Sequence, residues 1–405
     1  FKIKKLKSLT ATNFVILSII PVIFLVRLIR PFILIRFGSI TSYIIGSFVF
    51  ETEYFLSKKE HDNTKSIDFF YYNFKHEFYK KPPNDQWDVM VKRNFNINPF
   101  VSYLCRANQI LPLGKTHSIE ILNHEVGLRD FYGYLAKTEQ QIRFSDREDL
   151  LGREFLEEIG LDSKDHFICL CVRDSAYKQK YQTWKNDWGY HNFRDSEIET
   201  YEEAALSMAE KGYSIFRMGK LVKKPFDVKH KRIFDYANMP QRSDFLDIWL
   251  MANCHFLISG GGGISEVSHV FRRPLVNVNG IPYTYYHKSC FSVTTPKKLN
   301  WINNGKPLNL TEYINTNDYH KSSDYKKAGI KIYDSTSDEI TEAVEEMEKR
   351  LNGSWQYSES DAKLQKLYWK KFKGTPEFKK KFGWIHPEVH FSSGFLRKNH
   401  GWFLE

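Results

Sequence analysis

The run Ser259-Gly260-Gly261-Gly262-Gly263 is the stretch of this chain best suited to hold a ligand. Four residues without Cβ atoms let the backbone approach a bound group closely and adopt positive φ. The apolar residues His255 to Ile258 precede it and helical spacing resumes near Ile264, so a strand is expected to deliver the glycines to a helix start. Amides at such a turn, with the positive end of the helix dipole, suit a diphosphate; a simple tight turn is the competing reading. Ser265 stands at that helix start, and Glu266, one turn inside, has the length to accept from ribose hydroxyls. The spacing is not the GxGxxG of a dinucleotide fold.

Three further groups fall at comparable places. Arg173 and Asp174 follow the apolar run His166 to Val172, where an arginine can pair bidentately with phosphate or with a nearby Asp174 or Asp195. Gly219 and Lys220 follow Tyr213 to Met218. Arg242, Ser243 and Asp244 open a predicted helix, as base or ribose contacts or, for Asp244, as a first-turn acid.

The elements that must position these groups read as alternating strands and helices, the pattern of a parallel α/β sheet. Ser145 and Glu148 have capping-box spacing ahead of Leu151, Phe155 and Ile159. Strands are expected at 166–172, 213–218, 232–236, 255–258 and 275–278, with helices from Tyr201 to Gly212, Ser243 to Asn253 and Ser337 to Leu351. Earlier in the chain, Phe32 to Arg36 reads as a strand, Phe37-Gly38-Ser39 as a turn, Ile67 to Tyr72 as a second strand and 85–110 as helical.

The block Ser243 to Asn279 resembles the donor-binding segment of GT-B glycosyltransferases, in which a glycine-rich loop and a following glutamate hold the nucleotide. Val-Arg-Asp-Ser-Ala-Tyr (172–177), Tyr-His-Asn-Phe-Arg-Asp-Ser (190–196) and Arg-Met-Gly-Lys (217–220) are similar to bacterial glycosyltransferases of surface-polysaccharide synthesis. That pattern has histidine before Val-Arg-Asp-Ser, whereas this chain has Cys171. The resemblance implies two Rossmann-like lobes, with a nucleotide-sugar donor mostly on the second and a glycan or lipid-linked acceptor on the first.

Glycosyl transfer needs a base for the acceptor hydroxyl and positive charge for the leaving diphosphate. His191, Asp195 and Glu51 are the base candidates; Arg36 and Gly38 are candidates on the acceptor side. The chain has no Asp-x-Asp triplet, so a mechanism free of metal and of any cofactor is expected. His386 and His390 are four apart, but Pro387 between them disfavours a helical metal pair.

A formal net charge of +11 points to an anionic partner. No nucleic-acid motif is present. Five scattered cysteines without a CxxC pair speak against a disulfide framework and for a reducing, cytoplasmic setting. Phe14 to Val26 is apolar with basic residues on both sides, and is expected to be a helix lying on the inner face of the cell membrane or packed on the first lobe.

The expected fold class is α/β of GT-B type: an apolar membrane-associated segment (1–30), an acceptor-side lobe (31–145), a nucleotide-sugar lobe (146–355) and a basic aromatic tail packing back (356–405). A nucleotide-sugar epimerase of the same fold and a non-catalytic membrane-bound scaffold are the alternative functions.

Overall fold

The computed structural model describes residues 2–74, 81–121, 129–162, 164–181, 189–282 and 290–405, without the side chains of 2–12, Lys178, Tyr181 and Tyr190. Parts of the 111–130 stretch and of the polar loop after Tyr177 thus lie outside the described residues. The chain divides into two compact units, Phe1–Leu128 with Thr138–Arg143, and Arg129–Lys137 with Phe144–Glu405.

The first unit runs α1 (Lys2–Leu28), β1 (Ile35–Thr41), α2 (Ile45–His61), β2 (Ile67–Asn73), α3 (Asp85–Asn94), β3 (Asn96–Ile97), α4 (Val101–Ile110) and β4 (Ser118–Ile119). Its sheet is parallel, in the order β3-β2-β1-β4. In α1 the residues Ile16, Ile19, Ile23 and Val26 recur at helical spacing and are buried with Phe37, Val101 and Ala107. No helix among the described residues is long and apolar enough to cross a membrane.

Two local expectations are corrected here. The first strand starts at Ile35 rather than Phe32 and runs straight through the supposed turn Phe37-Gly38-Ser39. Gly38 is there for space, not for bending: a Cβ on it would stand 2.9 Å from the Cβ of Ile119 on β4. The stretch 85–110 is not one helix, because Phe95 is extended and β3 separates α3 from α4.

The second unit holds α5 (Tyr134–Lys137), α6 (Asp146–Glu158), β5 (Phe167–Cys171), α7 (Ala176–Tyr181), α8 (Glu202–Glu210), β6 (Ser214–Arg217), β7 (Ile233–Phe234), α9 (Asp244–Asn253), β8 (Phe256–Ser259), α10 (Ser265–Val270) and β9 (Leu275–Gly280). It continues with β10 (Ser292–Pro296), β11 (Lys298–Trp301), α11 (Leu310–Asn315), α12 (Ser322–Lys327), β12 (Ile330–Tyr333), α13 (Ser337–Leu351), α14 (Glu359–Lys373), β13 (Val389–Phe391) and α15 (Ser393–Phe403). Seven parallel strands line up as β13-β10-β9-β8-β5-β6-β7. Every residue of β5 is buried, as expected for a central parallel strand covered on both faces.

Helix boundaries follow their caps. Ser145 and Glu148 form a full capping box on α6, Ser243 caps α9 through the amide of Leu246, and Thr336 with Glu339 caps α13. One core lies where α8 and α13 cover β5, β8, β9 and β10 through Met208, Ile168, Ile258, Val276, Val293 and Val344. A second, aromatic core gathers Tyr313, Tyr325, Tyr368, Phe372, Phe391 and Phe403, so the basic 363–381 segment buries its rings within this unit.

Candidate functional site

In the seven-stranded sheet β6 lies on one side of β5 and β8 on the other. The strand order therefore reverses between β5 and β8, and ligands of open α/β sheets bind in the crevice outside the carboxyl ends at such a point. The chain places Val172-Arg173 at one of these ends and Ser259 to Gly263 at the other. The two ends are joined, since the Gly260 amide donates to the Cys171 carbonyl at 2.9 Å.

The glycine loop is held by its own serines. The Gly261 amide donates to Ser259 Oγ (3.1 Å), and the Ser259 and Ser265 hydroxyls lie 2.8 Å apart. Gly261 has φ +85°, where a β-branched residue is strained. A Cβ on Gly262 would stand 3.0 Å from Cys171 Sγ. Cys171 is thus a wall of the loop; burial pushes its thiol up to about 11, so at neutral pH it packs as an uncharged group. The following helix α10 has only six residues, so the dipole expected from sequence is short. What remains for an anion is the run of loop amides at Gly262, Gly263 and Ile264, which have no backbone acceptor among the described residues.

Around this loop the structure gathers cations. Arg173 Nε donates to Asp195 Oδ1 at 3.0 Å, the structural pairing foreseen as the alternative to phosphate. Arg194 Nη2 donates to the Gly261 carbonyl at 3.0 Å. Buried Lys297, which follows β10, donates to the Asp195 carbonyl at 2.6 Å and pairs with Asp334 at 2.7 Å. Burial raises the Asp195 carboxyl above its ordinary range, and the Arg173 charge holds part of that rise back. Burial likewise lowers the Lys297 ammonium, with Asp334 opposing. A cavity of about 40 Å³ lined by Asp174, Asp195 and Arg217 has room for one or two waters rather than a nucleotide.

The other sequence candidates sit in self-satisfied arrangements. Asp174 accepts the amides of Ala176 (2.9 Å) and Lys223 (2.8 Å) and so fixes two loops. Gly219 leaves no room for a side chain, since a Cβ would meet Val222 Cγ1 at 2.5 Å. Lys220 and Arg242 both reach Asp244, at 2.9 and 3.2 Å, and Arg242 also binds Asp247. Two cations and two acids there compensate one another. Ser243 is spent on the α9 cap. Glu266, buried, faces His269 Nδ1 at 2.9 Å. The His191 ring stacks near Phe193, with centroids 6.2 Å apart.

In the first unit the strand order reverses between β1 and β4. Glu51, on α2, accepts the amide of Thr41 at the carboxyl end of β1 (3.0 Å), and burial pushes its carboxyl up to about 7 against that hydrogen bond. That is the range of a general base at neutral pH. Arg36 lies near the amino end of the same strand, tied to Asp68 at 2.7 Å. These two candidates therefore stand at opposite ends of β1, roughly 16 Å apart at strand rise. Arg36 and Gly38 line a cavity of about 780 Å³ together with Lys58, Tyr71 and Lys115.

Arg194 and Lys297 were not legible as site residues. Arg194 lies inside the Asn-Phe-Arg-Asp-Ser stretch, where no local pattern sets it apart from Asp195; Lys297 follows Ser-Val-Thr-Thr-Pro, which has no apolar alternation to mark it as a strand. A lysine directly after a strand of this sheet was the available signal.

No protein-family model matches the chain, and no curated protein matches it. Among solved structures, the chain is similar to the E. coli ADP-heptose lipopolysaccharide heptosyltransferase II, at 12% identity over 61% of this chain and 86% of that one, with TM-score 0.35. It is similar to a family 9 glycosyl transferase from Veillonella parvula, at 14% identity over 65% and 86%, with TM-score 0.39. A UDP-GlcNAc 2-epimerase from Neisseria meningitidis bound to UDP-GlcNAc overlaps at 12% identity over 60% and 82%, with TM-score 0.27. At such TM-scores the overlaps are too loose to transfer anything to this chain, which by its own topology is an α/β protein with parallel sheets.

Proposed function

We propose that this chain is a glycosyltransferase of GT-B type that takes a nucleotide-sugar at the carboxyl edge of its seven-stranded sheet. The sugar goes to a glycan or lipid-linked acceptor, without a metal ion. The observation that carries the reading is the glycine loop at the β5/β8 reversal, with Arg173, Arg194 and Lys297 beside it.

In this reading the Gly262, Gly263 and Ile264 amides and the Arg173 guanidinium hold the diphosphate and stabilise it as it leaves. Asp195, shared between Arg173 and Lys297, keeps that arginine oriented rather than serving as base. On the first unit, Glu51 is the candidate proton acceptor: it stands at the carboxyl end of β1, accepts the Thr41 amide at 3.0 Å, and is pushed up to about 7 by burial.

Thermal-shift titration with a panel of nucleoside diphosphates and their sugars tests the donor site. One diphosphate is expected to stabilise the protein, and Gly261→Val or Arg194→Ala to remove that stabilisation. Failure of every panel member to shift the melting point sinks the donor site. Product formed from nucleotide-sugar without acceptor would instead make the chain an epimerase.

A further inference from the structure

The first unit presents an apolar surface that its own fold leaves uncovered. Opposite the buried stripe of α1, Phe14, Leu17, Phe24, Leu25 and Leu28 are between 56% and 75% exposed. The surface does not end with the helix. Arg27 binds the Pro112 carbonyl and Asn108, which brings the 110–113 bend against the end of α1. There Leu113 is 85% exposed and Ile110 62%, and Phe32 beyond α1 is 91% exposed. So many large apolar side chains left in solvent on one helix face and the segments beside it mark an interaction site.

Leu113 carries a second, independent observation. It has φ 63°, the left-handed region that a leucine enters only at a cost. Gly114 beside it fits so tightly that a Cβ would lie 2.4 Å from the Asn108 carbonyl, so the bend is imposed by packing. Asparagine or glycine would occupy position 113 with little strain. A leucine there, pointing into solvent, gains from contact with something apolar outside the fold.

Charge identifies the occupant. Residues 1–34 contain Lys2, Lys4, Lys5, Lys7, Arg27 and Arg30 and not one acidic residue; Arg36 beyond them is already paired with Asp68, and the first acid of the sequence is Glu51. A second copy of so basic a face would repel the first, whereas anionic lipid headgroups attract it. With one stripe of α1 built into the unit, the helix lies along the bilayer rather than through it. We infer that α1 and the Leu113 bend form a monotopic seat on an anionic bilayer surface, the apolar face entering the headgroup boundary and the basic residues lying among phosphates. The inference does not rest on the donor reading.

Flotation of the full chain with phosphatidylcholine vesicles, with and without about 30% phosphatidylglycerol, tests it. The protein is expected to float with the anionic vesicles. Leu17→Glu with Leu25→Glu, and Leu113→Asn alone, should each lower the partition, the pair by roughly tenfold or more. Both variants change side chains already in solvent, so the pair should melt with the parent, and Leu113→Asn, relieved of its backbone strain, at or slightly above it. Protein that stays in the aqueous layer with both vesicle types overturns the inference, as do folded variants that float like the parent. A dimer in light scattering that these variants split also overturns it, by giving the face to a second copy.

Discussion

Replacing Glu51 by glutamine isolates the cost of burying one carboxylate. Glu51 is 9% exposed, its Oε2 accepts the Thr41 amide, and burial moves its carboxyl from the ordinary 4.5 to about 7. In the unfolded chain the proton leaves near 4.5, while the folded chain keeps it to about 7. Between these values the unfolded state binds fewer protons, so stability falls as pH rises, and above pH 7 the loss is complete. The separation corresponds to about 3 kcal/mol. The glutamine of Glu51→Gln keeps an oxygen for the Thr41 amide and cannot ionise. The variant should therefore match the parent below pH 4.5 and exceed it by up to about 3 kcal/mol at pH 8. Urea unfolding followed by far-UV circular dichroism at a series of pH values measures this. A variant that loses stability with pH as steeply as the parent would show that another group titrates, and the assignment of Glu51 as a poised base would fall with it. If the assignment holds, the gain in stability comes with loss of sugar transfer.

Other changes test the remaining parts. Arg173→Ala strips Asp195 of its guanidinium; we expect a loss of roughly 1–3 kcal/mol in calorimetry and no stabilisation by nucleoside diphosphate. Asp68→Asn leaves Arg36 and Lys59, both 2.7 Å from that carboxylate, without their shared partner. Burial raises the Asp68 carboxyl but the two cations outweigh it and hold it low, so the parent loses this contribution as the solution is acidified below the ordinary carboxylate range while the variant does not. Gly152→Ala should destabilise despite the helix propensity gain of about 1 kcal/mol, because the new Cβ would fall 2.0 Å from the Trp249 ring. Tryptophan fluorescence should shift in step with the lost stability.

The second unit was legible where local chemistry decides structure. Ser145, Ser243 and Thr336 are caps whose hydroxyls bind backbone three residues on, so α6, α9 and α13 follow from adjacent residues. The glycine loop likewise stands where the apolar run before it and the helix after it indicated. The first unit was harder. Gly38 reads as a turn residue, yet its reason is Ile119, about 80 residues away, and no local pattern carries that contact. The site's electrostatics were hidden for the same cause. Arg173 finds Asp195 and Lys220 finds Asp244 across more than 20 residues each, and Lys297 reaches Asp195 from just beyond a strand too polar to be legible. Which cations are spent on acids is a property of the assembled edge.

The outer strand β13 bears on how the protein is made. It pairs with β10, yet it is synthesised about 90 residues later, after α13 and α14. Until Val389 to Phe391 arrive, β10 is a sheet margin with unmet amides and carbonyls, and Tyr368 and Phe372 lack Phe391 as the floor of their aromatic core. A nascent chain stopped in that interval carries an adhesive edge, so loss of the residues from Val389 onward should show first as aggregation during expression rather than as loss of ligand binding. A strand translated well after its neighbour thus acts as the seam along β10.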